Sequence, residues 1–129
     1  MSLTVFDEVI SFASFGNHAN DAGPAGQQVA DAANRVLRID NLFLGNDDAA
    51  PTVVVVSFND AFANTAPLGA VSIPAGAGVT GPAVEAFDAL FPGKLDGVVL
   101  PVGTSLFVDV PGTAGAGKVV TYLALGGYI

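Results

Sequence analysis

Residues 104–110 read Thr-Ser-Leu-Phe-Val-Asp-Val, and this short run carries the pattern that decides the fold class. Apolar side chains at Leu106 and Val108 alternate with the polar residues Ser105 and Asp109. Successive side chains of a β-strand point to opposite faces of its sheet, so the alternation predicts a strand with one face turned toward a core.

Similar runs lie on both sides of this strand, and turn residues separate them. The segments 45–51, 101–103 and 111–117 are rich in Gly, Pro, Asn or Asp, as is typical of turns. Short strands with turn signals about every 8–12 residues predict an all-β chain, an antiparallel β-sandwich or barrel of jelly-roll-like form. The predicted strands cover residues 35–44, 52–58, 70–73, 95–100, 104–110 and 118–125.

Two segments add detail to this prediction. Four consecutive valines within 52–58 favour a strand whose two faces are both covered. The segment 82–91 is the best candidate for a helix, because Pro82 suits a first turn and Phe87 and Phe91 share one face. We therefore expect one short helix among the strands.

The N-terminal part of the chain differs from the rest, and we divide the chain into a leader, 1–34, and a β-sandwich domain, 35–129. Residues 1–15 are apolar and fit a helix by their spacing and a strand by their composition, so both structures stay open. The stretch 16–34 is rich in Gly, Asn, Ala and Asp and predicts a long loop or an extended arm. A compact domain rarely keeps such a loop without a use for it.

The composition limits the classes of function. The chain has 129 residues, which fits one domain. Its formal net charge of −8 argues against a nucleic-acid-binding surface, which needs clustered Lys and Arg. Cysteine is absent, which excludes a disulfide scaffold, a thiolate zinc site and a cysteine nucleophile.

The hydropathy leaves two interpretations of the surface. Mean hydropathy is +0.58, and only 12% of the residues are charged. Either a partner or further copies of the chain cover part of the surface, or an Ala- and Gly-rich fold exposes ordinary apolar atoms. No signal peptide is expected, since Asp7 and Glu8 interrupt the apolar run. No membrane contact is expected, because Pro and Gly break the longest uncharged run, 61–84, and no basic amphipathic face exists.

One segment matches a nucleotide-binding motif in part. Residues 112–119 have the glycine and lysine spacing of a phosphate-binding loop. Val119, however, stands where a Ser or Thr must bind magnesium, and a β-forming run follows where a helix is required. A glycine-rich hairpin loop is therefore the favoured interpretation.

His18 and an acidic turn are candidates for chemistry, and both have plainer explanations. His18 is the single histidine and lies in a polar stretch that predicts an exposed position on the arm. Asn46, Asp47 and Asp48 offer oxygens to a cation, but they lack the spacing of a calcium loop, so an Asx turn is favoured.

Two further groups complete the candidates. Glu85 and Asp88 lie three residues apart on the predicted helix, where a solvated helix face explains them better than a glycosidase pair. Phe6, Phe12 and Phe15 are possible anchors for a partner, although burial in the protein's own core is more common. We therefore predict no catalytic, cofactor-binding or metal-binding residue, no cofactor and no enzymatic activity.

The order of strands and turns resembles that of small structural proteins of tailed bacteriophages. A strand, a polar turn and a valine strand come first, and a Pro-Ala-Gly turn and a Leu-Pro-x-Gly-Thr sequence precede the last hairpin. The resemblance lies within residues 35–129 and is carried by 36–55, 71–78, 99–108 and 115–122.

This resemblance implies a virion role, that of a capsid decoration (cement) protein. Such proteins bind the outer surface of the major capsid protein lattice and stabilise the head. They often form trimers, so a homo-oligomer, with a trimer favoured, is the expected state at the capsid surface. The resemblance transfers no functional residue to this chain.

Two other classes of function remain as alternatives. The first is a receptor- or glycan-binding β-sandwich module of a phage tail or head fibre. Sugar sites favour exposed aromatic side chains beside polar groups, and the chain has no Trp and two tyrosines, Tyr122 and Tyr128. The second is a small hydrolase, which would need His18 as its base.

Overall fold

The computed structural model describes residues 10–19, 26–60, 64–93, 97–110 and 118–129. These residues form nine strands and one short helix. The elements are β1 (Ile10–Ala19), β2 (Gln27–Ala32), β3 (Leu37–Asn46), β4 (Thr52–Asp60), β5 (Thr65–Ile73), β6 (Val84–Glu85), α1 (Ala86–Leu90), β7 (Val98–Leu100), β8 (Thr104–Asp109) and β9 (Val119–Tyr128).

The strands form two antiparallel sheets that pack against each other. The first, which we call sheet A, has the order β1-β9-β3-β6, and β7 also pairs with β3. The second, sheet B, has the order β2-β8-β4-β5. The prediction of an all-β antiparallel sandwich with one short helix is therefore confirmed.

The strand pairs are nested along the chain. The hairpin of β4 and β5 lies innermost, and the pairs β3–β6, β2–β8 and β1–β9 follow outward in sequence. Successive pairs fall in alternate sheets, which is the topology of a jelly roll with the short β7 added beside β3. Because of this nesting, the first and last described strands are neighbours in sheet A.

The inner faces of the two sheets share one apolar core. Buried residues alternate with exposed or half-buried ones along most strands, as expected for sheets with a single covered face. Burial of these side chains is the main stabilising contribution to the fold. The largest fully buried side chains are Leu37, Ile39, Leu42, Leu44, Ile73, Leu100, Leu106, Val29, Val54, Val56, Val108 and Val120.

The predicted loop over residues 16–34 is wrong for much of its described part. Residues 16–19 belong to β1, and Gln27–Ala32 form β2. Residues 10–15, where helix and strand were both open, are strand. Pairing with β9 and β8 overrides the loop-like composition, and small side chains such as Ala32 fit the core. The leader thus supplies one strand to each sheet.

The expectation that both faces of the valine strand are covered is also wrong. On β4, Val54 and Val56 are fully buried, whereas Val53 is 47% exposed and Val55 is half-buried. The outer face of sheet B is not covered by another described layer. Four identical residues therefore follow the same inward and outward alternation as a mixed sequence.

The helix is shorter than predicted and begins at Ala86. Val84–Glu85 pair with β3 as β6, so Pro82 precedes this short strand and not a first helical turn. The helix contacts both β3 and β5 and covers one side of the sandwich, with Phe87 buried. Among the described residues, no helix has the length and apolar character needed to cross a bilayer.

Candidate interaction surface

The outer face of sheet A carries an apolar row that crosses three strands. Phe15 on β1 lies opposite Leu123 on β9, and Leu123 lies opposite Phe43 on β3. The neighbouring row contains the fully buried Leu42 and Ala124 and points inward. The row of Phe15, Leu123 and Phe43, which we call the aromatic row, therefore points outward, because neighbouring residues of a strand face opposite sides.

The exposure of this row is uneven. Phe15 is 79% exposed, the highest value among the large apolar side chains of the described residues. Leu123 and Phe43 are half-buried. A large exposed aromatic side chain beside further apolar surface is typical of protein-binding sites. The expectation that Phe15 is buried in the core is wrong, whereas Phe12 packs against the core and makes an edge-to-face contact with Tyr128.

A shallow groove of about 630 Å³ runs beside the aromatic row. Besides the three residues of the row, Gly45, Gly78, Ala83 and Thr121 line it. Gly16 and Tyr122 also line it, and the segment 74–83 contributes Gly78 and Ala83 because it lies against the end of β3. The backbone N–H of Asn46 donates to the Ala77 carbonyl at 2.9 Å.

Glycine at position 45 makes this close approach possible. A Cβ added at Gly45 would collide with the Thr121 hydroxyl and would lie 2.9 Å from the carbonyl oxygen of Ala77. Gly78 also lies close, since its own Cβ would be 3.5 Å from the Gly45 Cα. Space therefore requires glycine at position 45, whereas at position 78 the contact is an ordinary one and the φ of +78° is what favours glycine.

Sheet A is almost free of charge around this groove. Neither β1 nor β9 contains Asp, Glu, Lys or Arg. On β3, the guanidinium of Arg38 donates to the Asp40 carboxylate at 2.7 Å, so the two charges are paired. In contrast, the whole chain carries a net charge of −8. Glu85 of β6 lies opposite Phe43 at one end of the row, whereas at the other end β1 and β9 present no charge that would oppose contact with another acidic protein.

The acidic turn at Asn46–Asp48 is an Asx turn, as predicted, and its buried Asn46 side chain also joins the two sheets. The Asn46 side-chain oxygen accepts from the Asp48 N–H at 3.0 Å. Its amide nitrogen donates to the carbonyls of Ala50 at 2.9 Å and Ile73 at 3.3 Å. Asn46 is buried and thus links β3 of sheet A to the end of β5 in sheet B. Asp47 accepts from the Val119 N–H at 2.8 Å.

Glu85 is not part of a solvated helix face. It precedes α1, and its carboxylate accepts from the backbone N–H groups of Phe87 at 2.8 Å and Leu42 at 3.3 Å. Glu85 therefore caps the helix and fixes it to β3. Asp88 is exposed on the helix. A Glu that precedes an apolar helical stretch is the sequence signal for this cap. The hydrogen bond from the Leu42 N–H to the Glu85 carboxylate depends on tertiary structure and has no such signal.

The remaining candidates do not converge. His18 lies in β1 opposite Val120, and not on an arm. Residues 112–117 and Phe6 lie outside the described residues. A strand, β9, follows at Val119 where a phosphate-binding loop would need a helix. Within the described ranges, no group of three or more His, Asp or Glu side chains is placed to hold a metal ion.

A second, smaller hollow lies at the opposite end of β9. It encloses about 270 Å³, and Asp31, Asn34, Arg35 and Tyr128 line it together with Ala33. Asp31 also accepts from the Ser105 hydroxyl at 3.3 Å. An aromatic ring beside polar side chains is the combination that sugar sites favour. Tyr122, the other tyrosine, is buried.

Comparison of the chain with protein-family models, with curated proteins and with solved structures gives no match.

Proposed function

We propose that this chain is a virion structural protein, a capsid decoration protein that binds the outer surface of the major capsid protein lattice and stabilises the head. The proposal follows from the resemblance of residues 35–129 to small phage structural proteins. The observation that carries it furthest is the apolar row of Phe15, Leu123 and Phe43 on the outer face of sheet A, where β1 and β9 carry no charged side chain.

The dimensions of this face support a docking role. The three ten-residue strands β1, β9 and β3, about 4.8 Å apart, span roughly 14 Å by 33 Å, on the order of 500 Å². A stable interface buries about 800 Å² on each partner, so one copy alone would bind at the weak end of the range. Repetition over a symmetric lattice, or self-association of the protein, raises the effective concentration and compensates for weak single contacts.

The fold and the charge are consistent with this role. Jelly rolls occur in viral capsid domains and in lectins, although a fold by itself does not determine function. Two packed sheets give a rigid body, which a protein that braces a shell requires. The net charge of −8 keeps particles coated with many copies soluble.

Co-sedimentation with capsids tests the proposal. The capsids are assembled from the major capsid protein encoded in the same genome, and the wild-type chain is expected to pellet with them and to raise their disruption temperature. Thr121→Lys places a charge at an exposed position in the groove, and we expect about tenfold weaker binding. Ser72→Lys, at an exposed position on β5 of sheet B, is the matched control and should bind like the wild type.

Two outcomes would contradict the proposal. A wild-type chain that stays in the supernatant at every capsid concentration would remove the decoration role. Equal binding by Thr121→Lys and the wild type would remove the outer face of sheet A as the docking surface.

A glycan-binding module is the second candidate, because the smaller hollow places Tyr128 beside Asp31, Asn34 and Arg35. A glycan array discriminates the two functions. Array binding that is lost in Asn34→Ala and kept in Thr121→Lys would favour glycan recognition over capsid decoration.

A further inference from the structure

Most edge strands of the two sheets carry features that prevent pairing with another strand. At the edges of sheet B, β2 has six residues and a register shift after Gln28, while β5 contains Pro67 and pairs through a second register shift. The outer partners of β3 in sheet A, β6 and β7, have two and three residues. Short length, bulges and proline are the usual protection of sheet edges.

Strand β1 is the exception among the described edges. Its ten residues pair with β9 without a register shift, from Ile10 opposite Tyr128 to Ala19 opposite Val119. It contains no proline and no Asp, Glu, Lys or Arg. Within the described part of the chain, no strand pairs with its other side. A long, regular, uncharged edge is a template for another strand.

We propose that β1 pairs antiparallel with β1 of a second copy of this chain, about a two-fold axis, so that sheet A continues from one copy into the other. In such a pair only the residue on the axis lies opposite its own copy, and every other residue lies opposite the residue at the same distance on the other side of the axis. We place the axis at Phe15, near the middle of the strand, so that the two Phe15 side chains lie directly opposite each other on the outer face.

The aromatic row favours this register. Phe15 is 79% exposed in one copy, and cross-strand aromatic pairs stabilise antiparallel sheets. With Phe15 opposite its mate, the outer row of one copy, Phe15–Leu123–Phe43, continues into the same row of the second copy. One apolar row then runs across both molecules.

Charge favours a second copy of β1 as the occupant. Each chain carries −8, so two copies approach most easily where acidic side chains are absent, and β1 and β9 contain none. The chain's own residues 1–9, which precede β1 in the sequence, are one competing candidate. They contain the adjacent acids Asp7 and Glu8, which suit a central apolar pairing less well. The inference concerns self-association in solution and does not depend on the capsid.

Analytical ultracentrifugation is the first test. The wild-type chain should show a concentration-dependent equilibrium between monomer and dimer. In Phe15→Lys, two like charges would face each other at the axis, and the dissociation constant should rise about tenfold or more. Val53→Lys replaces another exposed apolar residue, on the outer face of sheet B, and should dimerise like the wild type. Circular dichroism checks that each variant is folded.

Disulfide trapping tests the register of the β1–β1 pair. The chain has no native cysteine, so any disulfide must form between the introduced cysteines. Residues directly opposite each other in an antiparallel pair have Cβ atoms about 4.5–5.5 Å apart, close enough for oxidation with a small adjustment. Phe15→Cys should therefore form a covalent dimer on mild oxidation. Ala13→Cys, on the same outer face, should not, because the two copies of position 13 lie about four residues apart along the strands.

Several results would overturn the inference. A wild-type chain that is monomeric at about 1 mM excludes stable pairing. Dimers that form only after removal of residues 1–9 would show that these residues cover the free edge of β1. A wild-type trimer that Phe15→Lys leaves intact places self-association elsewhere, and efficient trapping of Ala13→Cys in place of Phe15→Cys contradicts the register.

Discussion

Sheets A and B contribute inner faces of the same kind to one core, yet they differ in their backbones and outer faces. In sheet A, β1, β9 and β3 are each ten residues long, and glycines let neighbouring backbone approach closely. In sheet B, one register shift interrupts β2–β8 and another interrupts β4–β5 beside Pro67. In sheet A, β3–β9 has one register shift and β1–β9 has none. Sheet B also holds buried polar side-chain atoms, Thr52 Oγ1 and Asn59 Oδ1, that have no hydrogen-bond partner among the described residues.

The inner faces of the sheets stabilise the fold, whereas the outer faces are available for contact with other molecules. Inner faces are constrained by the core in both sheets. Outer faces are constrained only by solvent or partners, and only sheet A combines a regular edge with an uncharged apolar row. Sheet A is therefore the side that we propose for contact with other molecules, and three substitutions test how the two sheets are packed and joined.

Gly126→Ala should have the largest effect, because it breaks the close packing of sheet A. An added Cβ would lie 2.8 Å from the Arg38 carbonyl carbon and 2.9 Å from the Ile39 Cα, and closer still to the Arg38 oxygen. These are backbone atoms at a bulge in β3, and they have little room to move. We expect a loss of about 3 kcal/mol or more in the free energy of unfolding, measured by urea denaturation.

Gly81→Ala is the control for this substitution. Its Cβ would meet nothing within 4 Å, and its φ is not in the left-handed region. Its stability should change by less than about 1 kcal/mol. If Gly126→Ala were as stable as Gly81→Ala, the close approach of β9 to β3 would be wrong.

Asn46→Ala should have an intermediate effect, because it cuts the polar link between the sheets. The substitution leaves the buried Ile73 carbonyl without its amide donor and the Asp48 N–H without its acceptor. We expect a loss of about 2 kcal/mol in thermal or urea unfolding. Asn64→Ala, at an exposed position, should cost less than about 1 kcal/mol. Equal losses in both variants would show that Asn46 does not join the two sheets.

Thr52→Val should have the smallest effect and the opposite sign. The Thr52 side chain is buried at the start of β4, and its hydroxyl has no partner among the described residues. Valine has the same shape without the polar atom, so unfolding should cost about 1 kcal/mol more. Thr65→Val, at an exposed position on β5, should change stability by less than about 0.5 kcal/mol. A destabilised Thr52→Val variant would reveal a hydrogen bond to this hydroxyl.

Much of the fold could be predicted from local patterns. The run 104–110 gives β8 to within one residue, and β3, β4 and β9 overlap their predicted strands with ends that differ by up to three residues. The strand β2 was missed, because a small-residue segment has no apolar period and becomes a strand only when β8 pairs with it. The extension of β5 to Thr65 was missed because it contains Pro67. Proline is tolerated only in an edge strand, and the sequence does not show that β5 lies at an edge.

The candidate surface could not be predicted in the same way. Phe15, Phe43 and Leu123 are far apart in the sequence, and only the register of β1, β9 and β3 places them in one row. A shift of one residue in either pairing would turn part of that row to the core. Likewise, the importance of Gly126 depends on a bulge in a strand more than 80 positions earlier.

Period, composition and charge are local or additive properties, so the amino-acid sequence was enough to predict an all-β chain and to show that cysteine is absent and the net charge strongly negative. The tertiary structure alone decided which apolar residues are core and which are surface, where backbones touch, and that β1 is left with a free edge among the described strands. Those properties depend on which distant segments pair, and pairing is selected by the packing of the whole chain.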